Sequence, residues 1–470
     1  MLNAKKAMLF AFLRKESLDL FNRLHSIAED VLFVNQVHAA YPAIPILPNL
    51  RCGAWYADPT IATDCPAYFK STDGHFSNWS FNLRRPNLHL LPLVAANNGA
   101  GIVLVDSTRA GKRLPDALSK TVPIWCAVVN RAVLQRFPDK QDWDTALYTP
   151  PGAVSAQEHA QIALRIDPWG EALANSSYSL PDLPRPLRPM WLTPASGALP
   201  VPPAAYIPII CVSASQVADG TARRAGGFAY IQGSGDDHEL WGEGLTPTLF
   251  WRHREVLLGA ERADLPALVA SLVADSAPSQ NAGKRAPHSD LSHLTGNWEQ
   301  DTAYVVVAVV GAPQFVIPDG VPVLYIEAWT GKKGQFQFLQ DILPRATAFA
   351  RVQLSAGRRL CAACDTGADF SVGIALVALQ LFFDDAGELV DLEDEKDLND
   401  TTLANKDSIR TRLEWIIASR PTANPSRTTL KRVNEYLLSA QEFRTSSTRP
   451  FPSQVKPTAS TIKPSPEAEP

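Results

Sequence analysis

Gly101-Ile-Val-Leu-Val-Asp106 decides the fold. The run is apolar at every position until an acid closes it. A strand with one face in water alternates in polarity, whereas a parallel strand covered by helices on both faces does not. The segment therefore predicts a buried parallel strand of an α/β domain, with functional groups where the strand ends, at its carboxyl edge. Ile207-Pro-Ile-Ile-Cys-Val-Ser213 has the same character. On the amino-terminal side, residues 5–33 carry Leu18, Phe21, Leu24, Ile27, Ala28 and Val31 at helical spacing. Pro42, Pro45 and Pro48 end that pattern. Asn49–Asp58 and Ala67–Lys70 predict strands and Ile124–Phe137 a helix. The Pro-rich stretch 138–205 predicts one helix, Ala156–Ile166.

A second α/β pattern follows. Thr302–Val310, Val323–Ile326 and Arg358–Cys364 predict strands. Gln335–Phe349, Ser371–Phe383, Ile409–Ala418 and Thr428–Ala440 predict helices. The expected organisation is an amino-terminal α/β domain over 1–274, a polar linker over 275–290, a second α/β domain over 291–443, and a disordered Ser/Thr/Pro/Lys-rich tail over 444–470.

The 470 residues suffice for two such domains, and 46% hydrophobic composition supplies their cores. Six dispersed cysteines are no disulfide scaffold, so a reducing, cytoplasmic setting is expected. Cys361-Ala-Ala-Cys364 has no second pair at zinc-site spacing. The apolar patch Met1–Phe12 runs into Arg14, Lys15 and Glu16 and reads as a helix start, not a leader. No apolar run reaches 18 residues, so no membrane span is expected, and no protein partner is evident. The net charge of −4 hides a strong asymmetry. Nine Lys/Arg stand against three Asp between Lys70 and Arg136, while nine acids stand against Lys396 between Asp384 and Asp400. The basic block can meet a polyanion, and the acidic run reads as a solvated loop.

Two loops in the basic block carry candidate chemistry. Lys70-Ser71-Thr72-Asp73-Gly74-His75 gathers a cation, two hydroxyls, a carboxylate and an imidazole around a glycine. Asp73 or His75 could take a proton from an attacking hydroxyl. Asp106-Ser107-Thr108-Arg109-Ala-Gly-Lys112-Arg113 follows the apolar strand with an acid, two hydroxyls and three cations, a set suited to phosphates and their metal ion. It is no Walker loop, but its form resembles the donor-binding loop of classical phosphoribosyltransferases, without their acidic pair. Trp79 is a candidate for base stacking or for the core.

In the second domain, Cys364-Asp365-Thr366-Gly367-Ala368-Asp369-Phe370-Ser371 joins a predicted strand to a predicted helix, the setting of a phosphate cradle. It resembles the Cys-x5-Arg-Ser/Thr loop of cysteine-dependent phosphatases at Cys364, Gly367 and Ser371. Phe370 stands where the arginine belongs and Ala363 where a histidine usually precedes the cysteine. Without the guanidinium the transferring phosphoryl group has no bidentate clamp. Asp365 and Asp369 are expected to disfavour the thiolate. The loop therefore reads as a phosphate cradle rather than a working phosphatase.

Taken together, Tyr68–His75, Asn78–Phe81, Asn87–His89, Val105–Arg109, Gly111–Arg113, Lys120–Cys126, His288–His293, Cys364–Gly373 and Asn424–Arg432 resemble the initiator-tRNA phosphoribosyltransferase family. The resemblance implies a glycosyltransferase that moves 5-phosphoribosyl from phosphoribosyl pyrophosphate (PRPP) to the 2′-hydroxyl of a T-stem adenosine of initiator tRNA. That modification excludes the tRNA from elongation. It also implies a carboxy-terminal domain like a dual-specificity phosphatase, and Mg²⁺ with the donor. On this reading Asp73 or His75 is the base and Asp106 meets metal or ribose, with the metal ligands otherwise unknown. Lys70, Ser71, Thr72, Ser107, Thr108, Arg109, Lys112, Arg113 and Lys120 hold substrate or phosphates. Arg427, Lys431 and Arg432 contact RNA, unless they are simply a solvated helix face. The alternatives are a phosphatase acting on RNA or phosphoprotein, and a non-catalytic RNA-binding protein.

Overall fold

A computed structural model describes residues 14–50, 52–140, 142–197, 199–217, 223–276, 299, 301–311, 320–390 and 404–438. The linker from residue 277 onward, the motif His288–His293, most of the acidic run and the tail lie outside them. The chain forms two compact units, Met1–His288 with Arg410–Asn424 and Ser289–Ile409 with Pro425–Pro470. Arg410–Asn424, expected within the second domain, thus belongs to the first unit. A physical reason is visible at Glu414, whose buried carboxylate accepts hydrogen bonds from Ser177 N (3.1 Å) and Ser177 Oγ (2.8 Å).

The first unit opens with α1 (Leu20–Ala40). Asp19 caps it by accepting from Asn22 N. Leu24, Ile27, Val31 and Val34 form its apolar stripe and are fully buried. A second stripe, Asn22, Ser26 and Asp30 at spacing four, is polar and equally buried. Each member has partners. Asn22 Oδ1 accepts from Ala229 N, Ser26 Oγ from Ile231 N, and Asp30 is bonded by Ser215 and Tyr230.

The sheet follows as β1 (Ile46–Pro48), α2 (Leu91–Gly99), β2 (Ile102–Asp106), α3 (Val122–Arg136), α4 (Ala156–Ala163), α5 (Ile166–Ala174), β3 (Leu187–Leu192) and β4 (Ile207–Ser213). The strand order is β1-β2-β4-β3, every pair parallel, with Asp106 in register with Ser213. β2 and β4 are buried at every position, as their unbroken apolar runs require. α6 (Pro247–Arg252), α7 (Arg254–Gly259) and α8 (Leu265–Ser276) complete the unit. The core joins α1 to Trp55, Trp241 and Phe250.

Several sequence expectations shift. Asn49–Asp58 and Ala67–Lys70 are not strands. The first holds a 3-10 turn at Gly53–Trp55, and the second only an isolated bridge from Asn49 to Ala67. The helix expected over Ala156–Ile166 is two helices. β3 was hidden because it contains Arg188 and Pro189, which an edge strand tolerates.

The second unit has β5 (Thr302–Val309), β6 (Val323–Ala328), α9 (Gly331–Gln337), α10 (Leu343–Ser355), β7 (Arg359–Cys364), α11 (Phe370–Phe382), α12 (Lys406–Ser419, whose residues from Arg410 belong to the first unit) and α13 (Arg427–Leu438). Its parallel sheet runs β6-β5-β7. The single helix expected over Gln335–Phe349 is α9 and α10 joined by a π turn at Phe338–Ile342. Both units are α/β with parallel sheets. No helix among the described residues is long and apolar enough to cross a membrane, and all six cysteines are free thiols.

Asn130 of α3 ties down the edge strand, donating to Leu187 O (2.9 Å) and accepting from Leu187 N (2.8 Å). Asn130→Ala leaves both backbone groups of a buried residue unpaired, which should cost about 2–4 kcal/mol of unfolding free energy. Urea unfolding of the purified chain measures it, and an unchanged midpoint would remove Asn130 from this role.

Candidate active site

The Lys70–His75 loop meets the segment Asp116–Thr121, which follows the Asp106–Arg113 loop. Ser71–Gly74 is a 3-10 turn, and Ala117–Thr121 is a π turn that opens α3. Gly74 is where they touch. A Cβ there would sit 2.7 Å from Asp116 O and 2.9 Å from Thr121 Oγ1, so only glycine lets the turns close. Thr121 Oγ1 also donates to Lys70 O at 2.9 Å.

Around this contact is a charge cluster centred on Asp116. Its carboxylate lies 2.9 Å from Lys112 Nζ, 3.1 Å from Lys120 Nζ and 3.8 Å from His75 Nε2. Burial alone would raise the Asp116 pKa, but the two lysine ammonium groups outweigh it and hold the carboxyl below its ordinary range. Asp73 is engaged separately, by Arg85 Nη2 at 3.1 Å and Ser80 Oγ at 3.4 Å. Burial and the neighbouring Arg85 guanidinium together lower the Lys70 pKa. Lys70, Thr72, His75, Arg109 and Arg113 are exposed, and Ser71 and Lys112 are partly so.

The other residues named from the sequence turn inward. Asp106 is fully buried. Its Oδ2 accepts from Asn49 Nδ2 (2.9 Å), and its Oδ1 from Cys52 Sγ (3.0 Å) and Ser107 N (2.8 Å). An acid so enclosed fixes the loop instead of meeting metal or ribose. Ser107 and Thr108 are buried as well. Ser107 Oγ lies 2.6 Å from Ser215 Oγ, which donates to Asp30 Oδ2 at 2.5 Å, while Tyr230 OH donates to Asp30 Oδ1 at 2.7 Å. Lys120 is only 7% exposed, and its ammonium is held between Asp116 and Glu158 Oε1 (3.0 Å). It is a pillar of the cluster rather than a free phosphate ligand. Trp79 is buried and donates its indole N–H to the same Glu158 oxygen at 3.0 Å.

Sequence reading missed Glu158, Gln232 and the α1 stripe. Ser155-Ala-Gln-Glu158 has the form of a capping box. Ser155 does cap α4 by accepting from Glu158 N, but the Glu158 carboxylate goes to Lys120 and Trp79. Gln232 Nε2 donates to Lys112 O at 2.6 Å, a long-range contact with no local signal. The polar stripe was readable as Asn22, Ser26 and Asp30 at helical spacing within an apolar pattern.

In the second unit, Cys364 Sγ lies 3.1 Å from Ser371 Oγ and 3.6 Å from Thr366 Oγ1. Burial would raise the Cys364 pKa, but hydrogen bonds from the Ser371 hydroxyl and backbone, the Thr366 hydroxyl and the Asp369 backbone lower it overall. The expected disfavouring of the thiolate by nearby acids is therefore overturned. The two carboxylates are turned to other partners, Asp365 accepting from Val309 N and Asp369 from Ser426 N, both at 2.8 Å. The loop spends other donors on itself. Gly367 N donates to Cys364 O, and Ala368 N to Thr366 Oγ1. Phe370, at the arginine position, stacks on Phe338 with centroids 4.5 Å apart and planes 9° from parallel. Of the helix cations, Arg427 is exposed, whereas Lys431 and Arg432 both pair with Glu435, at 3.7 and 2.6 Å.

Residues 13–274, more than half of the chain, match the family model of the Rit1 N-terminal domain. The chain belongs to the Rit1 family. Residues 322–437, which include the β7–α11 loop of this Rit1 chain, match the model of the Rit1 DUSP-like (dual-specificity-phosphatase-like) domain. Two curated relatives are similar over 278 residues each. An uncharacterized protein of Schizosaccharomyces pombe is 40% identical over 58% of this chain and 60% of its own length. The tRNA A64-2′-O-ribosylphosphate transferase of Saccharomyces cerevisiae is 41% identical over 54% of this chain and 53% of its own. The aligned region thus spans little more than half of each relative.

Burial raises the Asp30 pKa to about 8, against the bonds from Ser215 and Tyr230 that lower it. The folded Rit1 chain then holds a proton that the unfolded chain releases near pH 4. Stability should therefore fall as pH rises from about 4 to 8, by up to about 1.4 kcal/mol per pH unit from this group. Asp30→Asn, permanently neutral, should flatten that part of the profile. Parallel profiles for Asp30→Asn and the parent in urea unfolding would show that Asp30 is ionised in the fold.

Proposed function

We propose that this chain transfers a 5-phosphoribosyl group from PRPP to the 2′-hydroxyl of a T-stem adenosine of initiator tRNA, excluding that tRNA from elongation. The observation that carries the reading is the Gly74 contact, which sets His75 and Asp116 beside Lys112 of the Asp106–Arg113 loop. The Saccharomyces cerevisiae relative bears a name for this type of transfer. An A-form stem displays its 2′-hydroxyls in a shallow groove, so the acceptor is reached without flipping a base. A reducing cytoplasmic setting agrees with the six free thiols.

In the reaction, the 2′-oxygen bonds to the anomeric carbon of PRPP, the bond from that carbon to pyrophosphate breaks, and the hydroxyl proton passes to a base. His75 suits the base role better than Asp73. Its imidazole is half exposed with Nε2 facing Asp116, which leaves Nδ1 for the hydroxyl, whereas both Asp73 oxygens are engaged by Arg85. Lys70, Arg109, Lys112 and Arg113 supply positive charge where pyrophosphate departs. Asp106, Ser107, Thr108 and Lys120 keep the loops in place. Among the described residues no group of three or more His, Cys, Asp or Glu could hold a metal ion. The described residues therefore offer no all-protein cage for Mg²⁺. The Cys364 loop lacks a cation for phosphoryl transfer, because Phe370 supplies no charge to a transferring phosphoryl group.

Purified chain, initiator tRNA and PRPP carrying labelled ribose phosphate should give label on the tRNA, and no transfer would sink the reading. His75→Ala should lower kcat by about 100-fold or more with little change in KM for tRNA. Lys112→Ala should act mainly on KM for PRPP. Cys364→Ser should leave transfer intact, and its loss would return chemistry to the second unit.

A further inference from the structure

Trp329 is the first residue after β6, at the carboxyl edge of the second unit's sheet, and it is 47% exposed. Its backbone is firmly fixed. Gln337 accepts from Trp329 N at 3.0 Å through Oε1 and donates to Glu327 O at 2.8 Å through Nε2. Gly334 packs against the same peptide; a Cβ there would lie 1.7 Å from Trp329 O. A large apolar ring is thus held out in water on a rigid mount, when core packing would have been the ordinary use of a tryptophan.

Its surroundings are cationic. Lys333 Nζ lies 3.6 Å from the centroid of the Trp329 ring. Lys332 and Lys333 are exposed, and neither has an ion-pair partner among the described residues. Phe336, also on α9, is 56% exposed. Gln335 Nε2 donates to Thr429 Oγ1 at 3.1 Å, which brings the start of α13 and the exposed Arg427 beside α9. Glu327 is the exposed acid closest in the chain, leaving the patch net positive. An aromatic face interleaved with unpaired cations is the pattern that holds unpaired nucleic acid, with bases stacking on the ring and phosphates meeting the ammonium groups.

We propose that Trp329, Lys332 and Lys333 form a docking site for an unpaired stretch of the RNA substrate, with one base stacked on Trp329. The site rests on the preceding reading for the identity of its RNA, and it serves binding rather than bond making. Stacking on an aromatic ring is sequence-tolerant, so this site adds affinity for a tRNA without choosing among bases.

The test uses full-length protein, initiator tRNA, a short unpaired RNA oligonucleotide and a fully paired RNA duplex. Trp329→Ala should weaken binding of tRNA and oligonucleotide by about tenfold, the scale of one lost stack. Trp329→Phe should restore most of it. Lys332→Ala with Lys333→Ala should reduce the slope of log affinity against log salt by about 1.4, for two single-strand phosphates released. Transfer at saturating tRNA should keep its kcat in each variant, and thermal unfolding should be unchanged because these side chains are exposed. Equal binding by Trp329→Ala and the parent overturns the site while label transfer by the parent leaves the transferase reading standing. A paired duplex that competes as well as the unpaired oligonucleotide overturns it too. Absence of transfer by the parent is a separate result and falls on the transferase reading alone.

Discussion

The carboxyl edge of the first unit's sheet depends on one buried chain of hydrogen bonds, from Asp30 of α1 to Ser215 after β4 and on to Ser107 after β2. Parallel strands deliver their loops to the same edge, but strand pairing stops there. Something else must hold the loops to each other. Here a polar stripe on an otherwise apolar helix does so, reaching Ala229, Ile231, Ser215 and Tyr230 from three successive turns. A buried polar network of this kind fixes geometry only when every member is paired, since an orphaned group in low dielectric is costly. The exposed cations beyond it can then be arranged on a rigid base.

This gives the Asp106–Arg113 loop a division of labour. Its first three residues face in and are consumed by structure, while Arg109, Lys112 and Arg113 face out. The adjoining Asp116 neutralises part of that charge and turns it into a defined cluster with His75. Concentrated positive charge would otherwise repel itself and disorder the loop. A shared carboxylate lets several cations sit close together.

How much of this was legible depends on range. β2 and β4 could be read directly, because burial on both faces writes an unbroken apolar run. β3 could not, because an edge strand tolerates Arg188 and Pro189. The two candidate loops were visible separately, but their link through Asp116 rests on Gly74 against Asp116 O and on Lys112 against its carboxylate, contacts that no spacing announces. The roles within them were misjudged in one direction. Asp106, Ser107, Thr108 and Lys120 have the chemistry of ligands and the surroundings of struts. The Cys364 loop erred the other way. Asp365 and Asp369 are close to the sulfur in sequence, yet amide donors from Val309 and Ser426 draw them off, and hydroxyls take their place around the thiol. Proximity along a chain is a poor guide to electrostatics when backbone N–H groups compete for the charge.

The return of Arg410–Asn424 to the first unit has a practical side. The chain leaves that unit, builds most of the second, comes back to set Glu414 against Ser177, and departs again. Neither unit is contiguous in sequence. Cutting the gene at the apparent joint between the two halves would strip the first half of a buried strap and expose the amide and hydroxyl that Glu414 satisfies. The first unit therefore depends on a segment that the chain reaches only after most of the second, and genetic dissection of this chain calls for point changes or for a permuted chain rather than for truncation.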